Sequence, residues 1–353
     1  MQEGHWTIGV DIGRKITQVS YMTQGMEEPE TLETLFETGK DPSFLKGCLL
    51  AVPGLTDPAE ITAIELVLSD FTFERAEAVK RACMDMGIDS GAIRIQGTDE
   101  ACIYFALSQE RSLWNNDVVI FDFSKEGLFY RNLHVEKGKG TITAFLSEEK
   151  LEGMDVCSPS DEKFLRLASE RMDKRLISAV YLVGEGFYGG EWAKESLKYL
   201  CGRRRVFKGL NLYTRGASYA AYDRVYIHAF EQVLFLCRNR LKLSVGIQVE
   251  VRGEQRLLYL ARAGMSWYEA RAHIEAVPDG ITELTLSLRT WKGEERTETV
   301  SLEDFPVRER RMTRLEISLG FPDCQRGLLT VRDLGFGSMA EASNVCVEKE
   351  IAV

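Results

Sequence analysis

Asp11 stands at the end of a short apolar run and is followed by Ile12 and Gly13. A carboxylate at a strand end beside a glycine turn puts an acid and free backbone N–H groups at one hairpin tip, where a phosphate and its metal could sit. The competing reading is plain turn chemistry, because Asp-x-Gly is a common turn sequence. A second carboxylate of the same kind is Asp122, near the end of the apolar run 117–123 (DVVIFDF), with Ser124 to Gly127 as the turn that follows. Gly184-Glu185-Gly186-Phe187 closes the apolar run 179–183. Its glycines allow close backbone approach, either to a ligand or simply where a strand joins a helix tightly.

Composition narrows the chemistry. The chain has 353 residues, 44% of them hydrophobic, and a net charge of -10, so it can fill two domain cores and has no global attraction to nucleic acid or anionic membrane. The local basic clusters, Arg203-Arg204-Arg205 and Arg308 to Arg311, read as solvated faces or loops. Eight cysteines occur without a CxxC pair, several within apolar runs, and the four histidines are scattered. That pattern reads as reduced, buried thiols rather than a disulfide frame or a zinc site. The first residues lack a charged segment followed by an apolar one, and no run reaches membrane-spanning length, so a cytoplasmic protein is expected.

The elements that would position these residues follow from periodicity. Residues 7–22 read as a hairpin turning at Gly13, and residues 117–135 as a second hairpin of the same layout, strand, acid, turn, strand. Two such hairpins suggest two similar halves facing each other. Between them, 47–52 (GCLLAV) reads as a buried strand, 57–86 as one helix begun by Asp57 and Pro58, 92–95 as a strand and 98–108 as a closely packed helix. After a polar connection come a helix at 162–175, a strand at 179–183, a helix at 191–200, a short strand at Val206 and Phe207, and a small-residue helix from Gly216. From about Leu241 the texture changes to strands separated by turns, which reads as a β-sandwich.

In this order the motifs VDIG (10–13), AVP (51–53), 100–107, IFDFS (120–124), YLVGEGF (181–187) and RGASYAA (215–221) resemble the nucleotide-binding domain of the actin-like ATPase superfamily. They are most similar to the seventy-kilodalton heat-shock chaperones of DnaK type. The apolar path 232–249 resembles the chaperones' linker and first sandwich strand, and 314–333 their penultimate hairpin. The resemblance implies a duplicated RNase-H-like domain at 1–232, a linker at 233–240 and a lidless, substrate-binding-like β-sandwich at 241–353. ATP or ADP with Mg²⁺ would be the cofactor. It would be held by Asp11 (the metal, through water), Gly13, Arg14, Lys15, Asp122, Ser124, Gly184, Glu185, Gly186 and Phe187, with Asp11 and Asp122 as the candidate catalytic acids.

The departures from that family bear on function. Arg14 and Lys15 replace two small hydroxyl residues in the first turn, where they would neutralise a phosphate or fill the cleft. Ser124-Lys125-Glu126 replaces a glycine-rich turn, which removes the backbone freedom needed to wrap phosphates. The family's catalytic acid falls near Gly97, with Asp99 or Glu100 as shifted substitutes, and the outer lobes that cover a nucleotide are too short. Two functions follow from the resemblance. One is a pseudo-ATPase serving as a binding or scaffold module; the other is a nucleotide-dependent, chaperone-like ATPase that holds extended peptides, with Trp267 and Tyr268 as groove candidates. A protein or peptide partner is expected for either, and neither nucleic acid nor membrane.

Overall fold

The structure is a computed structural model that describes every residue except 1–4, 139, 189–190, 203, 281, 310 and 344. Arg203 and Arg310, members of the two basic clusters, lie outside the described residues. The chain divides into two units, Met1–Arg238 and Asn239–Val353.

The first unit opens with β1 (Trp6–Ile12), β2 (Ile16–Met22), the short β3 (Glu30–Thr31) and β4 (Phe36–Glu37), then α1 (Leu45–Leu50), β5 (Ile61–Leu68), α2 (Phe73–Asp85), β6 (Ile93–Gly97) and α3 (Thr98–Leu107). It continues with β7 (Asp117–Ser124), β8 (Gly127–Lys137), β9 (Ile142–Leu151), α4 (Asp161–Met172), β10 (Ile177–Val183), α5 (Lys194–Cys201), β11 (Arg205–Lys208), α6 (Leu212–Tyr222) and β12 (Val233–Leu236). The first sheet runs β3-β2-β1-β5-β6 and the second β11-β10-β7-β8-β9-β12. In each, a hairpin (β1 with β2, β7 with β8) is antiparallel, while the first hairpin strand pairs in parallel with a later one, β5 or β10. The two halves therefore share one topology, and the duplicated arrangement expected from the two hairpins is present.

Four expectations are corrected. Residues 47–52 are not a strand: Leu45, Cys48 and Leu49 are buried at helical spacing in α1, and a short apolar run alone does not distinguish a buried helix from a buried strand. The region 57–86 is not one helix. Asp57 and Pro58 do start a helical turn, but it is a single 3-10 turn, and β5 follows with seven of its eight residues buried. A parallel strand covered on both faces reads as continuous apolar sequence, which hid it. The helix proper begins after Thr72, whose hydroxyl accepts the Arg75 N–H at 3.3 Å. The polar connection after the second hairpin contains β9, paired with β8 over ten residues and masked by Ser147, Glu148 and Glu149. The expected linker contains β12, which pairs in parallel with β9 as the last strand of the second sheet.

Both sheets are covered on two sides. α6 lies on the first sheet: the Thr214 hydroxyl donates to the Gly9 carbonyl at 3.0 Å, and a Cβ on Gly9 would lie 2.3 Å from backbone atoms of Thr214 and Ser218. α3 lies on the second sheet, where Cys102, Ile103, Phe105 and Ala106 pack with Val118, Ile120, Leu146 and Tyr181. The two helices touch where Gly216 faces the Ala101 carbonyl, 2.1 Å from where a Cβ would be. α4 and α5 close the far side of the second sheet around Phe121, Phe164 and Leu200.

The second unit comprises β13 (Leu243–Val251), β14 (Glu254–Ala261), β15 (Ala272–Ala276), β16 (Glu283–Thr290), β17 (Glu295–Ser301), β18 (Leu315–Gly320), β19 (Arg326–Asp333) and β20 (Cys346–Ala352). They form two four-stranded antiparallel sheets, β14-β13-β16-β17 and β15-β18-β19-β20. Leu284, Leu286 and Leu288 in one, and Leu315, Ile317 and Leu319 in the other, are buried at alternating positions, so each sheet hides one face, as in a β-sandwich. Trp267 and Tyr268 are buried rather than lining a peptide groove. The buried Asp333 accepts two bonds of 2.7 Å from Arg308 and the N–H groups of Gly335 and Ser343, pinning the loop before β20. Among the described residues no helix is long and apolar enough to cross a membrane. All eight cysteines are free; four are buried, but Cys157, Cys201 and Cys346 are exposed, contrary to the buried pattern expected.

Candidate functional site

The carboxyl ends of β1 and β7 bring Asp11 and Asp122 to one cavity of about 820 Å³ between the two halves, within the size range of small-molecule sites. Asp11 accepts no hydrogen bond from a described residue. Burial, and then the nearby Asp122 charge, push its carboxyl from 3.8 up to about 7.

Asp122 is already engaged. Its Oδ2 receives Arg131 Nη1 at 3.2 Å and the hydroxyl of Tyr213 from α6. Arg131, in the middle of β8, also reaches Glu148 of β9 at 2.6 Å, stands 3.4 Å from Asp99 at the start of α3, and donates to Tyr213 at 2.9 Å. Glu148 takes a further bond of 2.9 Å from Arg238. Burial opposes the Arg131 charge, yet Tyr213, Asp122 and Glu148 hold its guanidinium well above the usual arginine value. A buried cation with three carboxylates is a fixed part of the structure, since removing one member leaves the others uncompensated.

The hairpin tips are tied as well. The Arg14 guanidinium donates to Asp70, just beyond β5, at 2.7–3.2 Å, and stands 3.7 Å from Glu126 of the second hairpin. Ser124 donates to Glu126 at 2.7 Å, and the Gly13 N–H donates to the Ile16 carbonyl at 3.1 Å. Ser124 pairs with Gly127 across a two-residue turn, too tight to wrap a phosphate. Lys15, Lys125 and Lys150 also line the cavity and make no ion pair with a described carboxylate, although Lys15 is felt electrostatically at Glu126.

Of the expected site residues, the structure brings Asp11, Gly13, Arg14, Lys15, Asp122, Ser124, Gly184 and Glu185 to this cavity. Gly186 and Phe187 are not among the residues lining it. Phe187 is buried in the core of the second half, and Gly186 packs where a Cβ would lie 2.4 Å from the Phe123 ring. Gly184, at φ +91°, is required by a similar approach to the Phe123 carbonyl. These glycines are thus explained by packing against β7. The shifted acids are likewise occupied: Asp99 beside Arg131, and Glu100 accepting the Gly97 N–H at 2.6 Å.

The Mg²⁺ implied by the resemblance does not fit this donor set. Asp122 is bonded to Arg131 and Tyr213, and no group of three or more His, Cys, Asp or Glu residues that could hold a metal occurs among the described residues. The sequence reading missed Arg131, Tyr213, Glu148 and Arg238. A charged residue inside the buried run of β8 was the available signal for the first of them.

Residues 42–238 match the model described as "Family of unknown function (DUF5716) C-terminal". The chain belongs to this family. Its remaining residues, 240–353, match the domain of unknown function DUF8552, so the division between the two matches falls close to the boundary between the two units of this DUF5716 member. No curated protein matches the sequence. Among solved structures, the DUF5716 chain is similar to the ethanolamine utilization protein EutJ from Carboxydothermus hydrogenoformans at 17% identity, covering 61% of this chain and 89% of that one with a TM-score of 0.39. It is similar to an inorganic polyphosphate/ATP-glucomannokinase from Arthrobacter sp. strain KM at 13% identity, covering 63% and 98% with a TM-score of 0.40. It is also similar to component A of (R)-2-hydroxyglutaryl-CoA dehydratase from Acidaminococcus fermentans at 11% identity, covering 62% and 98% with a TM-score of 0.38. Similarities of this order carry no information about activity.

Proposed function

We propose that the first unit binds a phosphate-bearing small molecule of nucleotide size in the cleft between its halves, and does not transfer the phosphoryl group. The observation that carries the binding is the presence of three lysines, Lys15, Lys125 and Lys150, around a cavity of about 820 Å³ without carboxylate partners among the described residues. Unpaired cations around a concave site favour an anionic occupant. Absence of turnover is supported by the engagement of Asp122 and by the raised Asp11, since phosphoryl transfer rests on positioned metal and an acid able to orient a nucleophile. The chaperone-like alternative loses its two groove candidates, because Trp267 and Tyr268 are interior residues.

Titration calorimetry and thermal shift of the full chain with ATP and ADP, followed by a phosphate-release assay, test this reading. Binding without phosphate release is expected, and replacement of the three lysines by glutamine should weaken it at least about tenfold, at roughly 0.5–1 kcal/mol for each exposed charge contact. No heat and no shift at millimolar nucleotide would remove the reading; phosphate release above the protein-free rate would remove its second half.

A further inference from the structure

We propose that Arg131 takes the place of a divalent cation in this cleft, so that the phosphate-bearing ligand binds without metal. The inference rests on the binding function proposed above, but adds how the charge of the site is arranged. A divalent ion at a phosphate site offsets the carboxylates that face the anion. Here that offset is made by a side chain. The Arg131 guanidinium lies within 3.4 Å of three carboxylates from three different elements: Asp99 on α3, Asp122 on β7 and Glu148 on β9. Arg238 adds a second guanidinium on Glu148.

Arg131 is in a position to do this permanently. Its side chain is 6% exposed, so it is not a surface group that swings away when a ligand arrives. It also lines the cavity itself, as do Asp122, Glu148 and Arg238, so the offset charge is at the cavity wall. Several atoms of the cluster, including Arg131 Nε and both Asp99 oxygens, are buried and make no hydrogen bond of good geometry. Ion pairing is what compensates them, and a guanidinium supplies it from one centre, as a metal would. Asp122 Oδ2 is taken by Arg131 and Tyr213.

The deciding experiment is calorimetry of the unmodified chain with ATP, once with millimolar MgCl2 and once with EDTA. A dissociation constant that changes by less than about threefold is expected; a loss of more than about tenfold in EDTA would overturn the role of Arg131 while leaving nucleotide binding in place. Absence of binding in both buffers would overturn the proposed function and this inference together. An Arg131→Ala chain gives a second readout where it folds. Its ATP affinity should fall in EDTA and recover in part with Mg²⁺, because the carboxylates it uncovers then need a counter-ion; an equal loss in both buffers would count against the inference.

Discussion

Asp11 holds a proton in the folded chain that the unfolded chain gives up. Its carboxyl moves from 3.8 to about 7 on folding, so between those values the native state binds more protons and stability declines as pH rises, with no recovery above pH 7. Asp11→Asn should therefore be more stable than the parent by about 1–3 kcal/mol at pH 8 and indistinguishable from it below pH 4, in urea melts at the two pH values. Asp333 behaves oppositely. The Arg308 bonds, with the Ser343 and Gly335 N–H groups, hold its carboxyl well below the usual carboxylate range despite burial. Its contribution is complete above about pH 4 and is lost only as the pH falls through its depressed value, and Asp333→Ala should cost about 3–5 kcal/mol at neutral pH. At this scale the sequence was half legible. The glycine turns pointed to Asp11 and to Asp122, because turn chemistry is local. The Arg131 cluster was not visible, because its carboxylates come from positions 99, 122 and 148 and meet only when α3, β7 and β9 are assembled.

The helices and strands show why local pattern succeeded in some places and failed in others. Both hairpins, and the strand-and-turn texture of the second unit, end at marked turns and were readable. β5 and α1 were exchanged, strand for helix, because each is a short apolar run whose period is hidden once both faces, or one turn, are buried. Glycines sort by the same packing. Gly216→Ala would drive a methyl group to 2.1 Å from the Ala101 carbonyl and force α3 and α6 apart, so a loss of about 3 kcal/mol or more is expected in thermal or urea unfolding. Gly47→Ala, on the exposed side of α1 with no atom within 4 Å of the new carbon, should instead gain about 0.5–1 kcal/mol.

Across the whole molecule, each unit has its own buried core, one of sheets and helices and the other of two antiparallel sheets. Differential scanning calorimetry is expected to resolve two unfolding transitions. Gly216→Ala should lower one of them and Asp333→Ala the other. A single transition shifted by both substitutions would show that the units unfold together.

The exchange of α3 and α6 between the halves also bears on how the chain is made. The first sheet is finished by residue 97, yet the helix that covers its inner face ends at Tyr222. A nascent chain emerging in order would leave that apolar surface bare while more than a hundred further residues are synthesised, and its completion would have to wait until nearly the whole first unit has left the ribosome.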